Sequence, residues 1–205
     1  GDPVEARITV LGGETDITGK GRIRSVNFSR FAKIGLTEKQ LFGSGEWFFK
    51  ASASARAGSS LLSLETDGVG IGTALPYPFD KDPDTIGRIK MTLSNEPSGS
   101  SLAVKLFEKT EIRGILDTTP LVLEVITPRI DLFGWATLPS LGTSVGNLSL
   151  LLRTEQLLLG DVPLAVSETA IKLTPQEFNV SFNGTELAGL VSRVSDAPIS
   201  VDLER

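Results

Sequence analysis

The chain has no cysteine and no histidine among its 205 residues, one methionine, one tyrosine and two tryptophans. Without thiolates or imidazoles there are no disulfides, iron–sulfur clusters or zinc ribbons, and the commonest general base is missing. A serine nucleophile would have no histidine to activate it. No basic cluster of the kind that nucleic acid selects is present: 20 Lys and Arg stand against 25 Asp and Glu, a net charge of −5. No apolar run approaches the roughly 18–20 residues of a membrane-spanning helix. The reading is therefore of a protein that is not an enzyme, binds no nucleic acid and has no transmembrane segment. Lack of cysteine leaves the compartment open, and a start at Gly1-Asp2-Pro3 rather than Met fits a trimmed or mature chain.

What is present is alternation. Ile8 and Val10 alternate with Arg7 and Thr9; Ile89, Met91 and Leu93 with Lys90 and Thr92; Leu102, Val104 and Leu106 with Ala103 and Lys105. Leu164 and Val166 obey the same rule, as do Phe178, Val180 and Phe182 against Asn179 and Ser181, and Ile199, Val201 and Leu203 at the end. A period of two is the signature of strands with one face on a core and one in water. Turn residues separate the runs. Asn183-Gly184 predicts a hairpin between strands near 177–182 and 185–191, Gly12-Gly13 a tight turn, and Asn95–Gly99 a looser one. Pro76, Pro78 and Pro83 make residues 73–85 a long irregular connection.

In 47–57, a strand would put Trp47, Phe49, Ala51, Ala53, Ala55 and Ala57 on one face, an alanine row that lets another layer approach closely. Helix is expected only in short pieces, at 36–43 and for one turn after Thr174-Pro175. Residues 147–159 satisfy both a strand and a helix pattern. Leu41-Phe42-Gly43 before Trp47 is echoed 91 positions later by Leu132-Phe133-Gly134 before Trp135, as a duplicated unit would be.

Few residues resemble a site. Asp80, Asp82 and Asp84 place carboxylates at alternate loop positions, the beginning of a calcium site, but a twelve-residue calcium loop wants Gly at 85 and Glu at 91, where Thr85 and Met91 stand. A solvated acidic loop is the simpler account. Gly68-Val69-Gly70-Ile71-Gly72 runs into Thr73-Ala74-Leu75-Pro76 rather than into the helix that a dinucleotide fingerprint requires. Trp47 and Trp135 are candidates for stacking on sugar rings, with core packing as the alternative.

These features predict an all-β chain with little helix, folded as an antiparallel two-sheet β-sandwich of jelly-roll or immunoglobulin-like type. A single domain over 1–205 is the simpler organisation; two related β units, about 1–92 and 93–205, are the alternative. The expected function is that of a non-enzymatic structural or interaction protein in a surface assembly: a virion or phage particle, an appendage or an exported bacterial structure. Its setting would be extracellular, periplasmic or on a virion surface. Its partners would be copies of itself or other assembly proteins, because Leu-rich stretches such as 148–152 and 157–159 offer more apolar surface than one core needs. One alternative is a β-barrel-like carrier of a lipid or other apolar ligand, and a second is a carbohydrate-binding module. No cofactor is called for beyond a possible calcium at Asp80, Asp82 and Asp84.

Overall fold

The structure, a computed structural model, describes residues 4–25, 27, 37–107, 109–118, 121–137, 148–160, 162–165, 168–173, 177–183, 188–194, 198 and 200–204. Its strands are β1 (Val4–Leu11), β2 (Glu14–Arg24), β3 (Leu41–Ser54), β4 (Ser59–Thr66), β5 (Ile71–Thr73), β6 (Ile89–Glu96), β7 (Gly99–Leu106) and β8 (Thr110–Ile115). They continue as β9 (Leu121–Asp131), β10 (Leu148–Leu159), β11 (Val162–Ala165), β12 (Glu168–Leu173), β13 (Glu177–Asn183), β14 (Ala188–Val194) and β15 (Ser200–Glu204). A short helix, α1 (Leu132–Thr137), comes directly after β9, and Ser25 and Asn27 are also helical.

Thirteen strands lie side by side in the order β1-β2-β3-β4-β6-β7-β8-β9-β10-β12-β13-β14-β15, with β5 attached to β3 and β11 to β10. The predicted all-β class and scarcity of helix hold. The predicted sandwich is replaced by one large, mostly antiparallel sheet that stays open. Short turns account for this. Leu11 pairs with Glu14 across Gly12-Gly13, and Glu96 with Gly99 across Pro97-Ser98, so successive strands pair with each other. A jelly roll or immunoglobulin fold needs long connections that carry strands to a second sheet.

Residues 148–159 resolve as a strand, β10, which pairs in parallel with β9 and antiparallel with β12. A parallel pair needs a crossover, and α1 begins it. Of the expected 36–43 piece, the described residues 37–41 give one backbone turn, Gln40 and Leu41 donating their N–H groups to the Thr37 carbonyl, before β3 starts at Leu41. Ala55–Gly58 form a turn, so the alanine strand ends at Ser54. The predicted C-terminal hairpin exists, but its last pair is Asn183 with Ala188, which makes the connection longer than an Asn183-Gly184 turn. Residues 184–187 lie outside the described set, as do Thr174–Gln176. The two Leu-Phe-Gly copies part ways, one in β3 and the other in α1.

The core gathers toward the C-terminal half. Val125 and Ile130 of β9, Leu132 of α1, Leu152 and Leu157 of β10, Val180 and Phe182 of β13 and Val191 of β14 are buried together, with Ile112, Trp135, Leu159 and Leu164 packed against them.

Candidate functional site

Strand register turns the alternation into rows that cross the whole sheet. One row runs Ile8, Ile17, Ala51, Leu62, Leu93, Leu102, Gly114 and Leu123, then through register positions Leu150 and Ile171 to Val180, Val191 and Val201. The next row on that face holds Ala6, Gly19, Phe49, Leu64, Met91, Val104, Ile112, Val125, Leu152, Thr169 and Phe182. The opposite face carries Arg7, Thr18, Lys50, Ser63, Thr92, Ala103, Arg113 and Glu124. Surface ion pairs lace that side, among them Arg113 with Glu111 at 2.8 Å and Arg153 with Glu124 at 2.6 Å.

The two apolar rows are flanked differently on their two sides. On one side lie Thr15, Ser60, Asn95 and Ser100, the last donating its hydroxyl to Asn95 Oδ1 at 2.9 Å. On the other side the row is mixed: Gly21, Trp47, Ile89 and Leu106 share it with the buried threonines Thr66, Thr110, Thr127 and Thr154, the Thr110 and Thr127 hydroxyls lying 3.1 Å apart. Glycines within the rows are levelled by their neighbours: a Cβ on Gly19 would meet the Phe49 ring, and one on Gly114 the Leu123 side chain. From β2 to β8 the row residues are only half-buried, whereas between β9 and β14 the described ones are mostly buried. The result is an apolar band, two side chains wide, that is covered at one end and open along the rest.

Residues 67–88 fold against the threonine margin. Ile71 is buried beside Gly45 and Thr66. Ser44 donates its N–H to the Gly70 carbonyl at 2.8 Å, and this contact explains two glycines: a Cβ on Gly43 would fall 2.0 Å from Gly70 O, and one on Gly70 2.3 Å from Ser44 O. The glycine run therefore serves close backbone packing. Lys81 anchors the segment. It is 8% exposed, its stem lies over Gly68 and Gly87, and its Nζ donates to the carbonyls of Ile71 (2.9 Å), Asp82 (2.9 Å) and Thr85 (2.8 Å). Burial holds its ammonium below the ordinary lysine range, opposed by the carboxylates of Asp82, Asp67 and Asp84. All three donors are engaged, so the group works as a clasp rather than as a catalytic amine.

Asp80, Asp82 and Asp84 are all exposed, and Asp82 Oδ1 accepts the Asp84 N–H at 2.8 Å. Among the described residues no group of three or more acids converges as a metal would require. Trp47 is 4% exposed and sits in β3 on the apolar face. Trp135, half-buried on α1, donates Nε1–H to the Tyr77 carbonyl at 3.1 Å and meets Phe79 edge to face at 5.5 Å. The two rings are thus held by different parts of the fold and do not form one stacking platform. Gly142-Thr143-Ser144-Val145-Gly146 matches a nucleophile-elbow spacing, but it lies outside the described residues and the chain has no histidine to complete a triad. Sequence reading found the strands that carry the band but not the band itself, because rows exist only once register is known. Compared with protein-family models, curated proteins and solved structures, the chain matched none.

Proposed function

We propose that the protein binds an apolar ligand of the acyl-chain class along the open part of the band. The observation that carries this reading is the half-buried pair of rows from β2 to β8, with Thr15, Ser60, Asn95 and Ser100 along one side. Six strands about 4.8 Å apart make that stretch about 24 Å long, and two rows of side chains make it roughly 12 Å wide. A bilayer core about 30 Å thick holds two acyl layers, so one chain spans about 15 Å and fits the stretch lengthwise. The open area is then on the order of 300 Å², well short of the roughly 800 Å² per partner of a stable protein interface. A long, narrow apolar strip with one polar edge suits a hydrocarbon chain better than another globular surface. The polar edge would keep a headgroup in water while the chain lies on Ile17, Ala51, Leu62, Leu93 and Leu102.

A fluorescent fatty acid tests this. It should bind the purified protein saturably at micromolar concentration, with emission shifted as in an apolar medium. Leu93→Asp should weaken binding by about tenfold or more, since it sets an unpaired charge in the middle of the strip. Organic extraction should also recover co-purified lipid. A lack of saturable binding, or equal binding by Leu93→Asp, would end the proposal.

An assembly role is favoured by a separate observation. The edge strand β1 exposes Val4, Ile8, Val10 and Leu11 by 61–79%.

A further inference from the structure

We infer that β1 is a self-docking edge, through which two copies of the chain join their sheets by antiparallel β1–β1 pairing centred on Ala6. The inference is independent of any ligand on the band. Strand β1 ends the sheet order, and its eight residues contain neither proline nor bulge, so one row of its backbone groups has no ladder partner among the described residues.

The turn determines which groups face outward. Gly12 and Gly13, at φ +61° and +90°, make a two-residue hairpin closed by Leu11 and Glu14. The closing pair of such a hairpin is hydrogen-bonded, and the alternation then directs Thr9, Arg7 and Glu5 toward β2 and Val10, Ile8, Ala6 and Val4 outward. The outward residues are those whose side chains share the apolar face.

Charge selects the register. A two-fold axis normal to the sheet keeps both apolar faces on one side and pairs residues of like parity. Centred on Ala6, it sets Val4 opposite Ile8 of the second copy and Glu5 opposite its Arg7, twice over by symmetry. Moving the centre by one residue either way opposes Arg7 to Arg7 or Glu5 to Glu5. A further shift sets Glu5 against Leu11. Only the Ala6 register is complementary on both faces, and Lys20, 3.5 Å from Glu5, extends the alternating charges inward. The join would carry about six backbone hydrogen bonds and continue the apolar rows from one copy into the next.

Sedimentation equilibrium of the full chain, from low to several hundred micromolar, should show a monomer–dimer equilibrium. Glu5→Arg and Arg7→Glu should each weaken it about tenfold by turning two attractions into repulsions, and the double swap should restore it. Ala6→Pro, which removes an outward N–H at the centre, should abolish the dimer while the thermal transition of the monomer stays in place. A chain that is monomeric throughout overturns the inference. So does a dimer indifferent to the single swaps or not recovered by the double one, since a dimer formed across the apolar faces would behave in that way.

Discussion

The apolar rows meet two different fates along one sheet. Between β9 and β14 they are closed over: Val125, Leu152, Phe182, Val180 and Val191 are 0–6% exposed and join Leu132 of α1 in a core. Between β2 and β8 the same rows, with the same alternation and the same polar reverse face, stay half-buried. The difference lies in the connections between strands. The β9–β10 pair is parallel and needs a crossover, which brings α1 over that end. The hairpins joining β1 to β2 and β6 to β7 supply no such cover. A period of two fixes which face is apolar; the connections decide whether that face becomes a core or a surface.

The largest effect that would sharpen this contrast is truncation on the two sides. Leu152→Ala should cost about 2–4 kcal/mol, because its site is 2% exposed and cannot collapse freely. Leu62→Ala, one row over and half-buried, should cost about 1 kcal/mol or less. Chemical denaturation of both variants gives the ratio, and equal costs would break the comparison. Next in size is Lys81→Met. It keeps the stem but removes the ammonium donor from the Ile71 and Thr85 carbonyls, while the Asp82 carbonyl keeps the Thr85 hydroxyl, and should cost about 2–3 kcal/mol. Proteolysis should then cut first within residues 67–88.

Within the closed region one residue breaks the apolar rule. The Thr169 hydroxyl is buried without a hydrogen-bond partner, between Leu152 and Phe182 in its row. Thr169→Val should therefore stabilise the protein by about 1 kcal/mol, seen as a higher melting temperature. A loss of stability would mean that the hydroxyl is satisfied by water.

Much of this was legible in the sequence, and the illegible part has a definite cause. Alternation located the strands around Ile8, Met91, Val104 and Val180, and Gly12-Gly13 located a turn, because both signals are local. Register is not local. Pairing Ala51 with Leu62, and Leu62 with Leu93, depends on where each hairpin closes, and those pairings create the band. The all-β class holds while the two-sheet sandwich is not confirmed, for the same reason: alternation says that a face is apolar and nothing about what covers it. The ambiguity at 147–159 was resolved by β9 and β12 on either side, a tertiary choice that periodicity cannot see. Asp80, Asp82 and Asp84 drew attention as carboxylates, while the working group of that loop was the lysine between them. A buried lysine satisfied by carbonyls leaves no motif.

The smallest effect discriminates best between a covered alanine row and an open one. Close approach of another layer to the alanine face of β3 would make Ala53→Leu overpack, at about 1–3 kcal/mol. In the structure Ala53 is exposed, on the polar margin beside Thr15 and Ser60. The substitution should therefore change stability by no more than about 0.5 kcal/mol. The next residue along the strand matters more: Ser54 Oγ donates to Glu14 Oε1 at 2.6 Å and accepts the Ala57 N–H at 3.2 Å, so Ser54→Ala should cost about 0.5–1 kcal/mol. On the ligand side the order reverses. A leucine at 53 widens the apolar strip by one side chain, and fatty-acid affinity should rise about two- to fivefold, while Ser54→Ala leaves it unchanged. Titration and melting of the two variants together then separate the face from the fold: a destabilised Ala53→Leu with unaltered binding would place a cover over the open rows and remove the distinction between the two halves of the sheet.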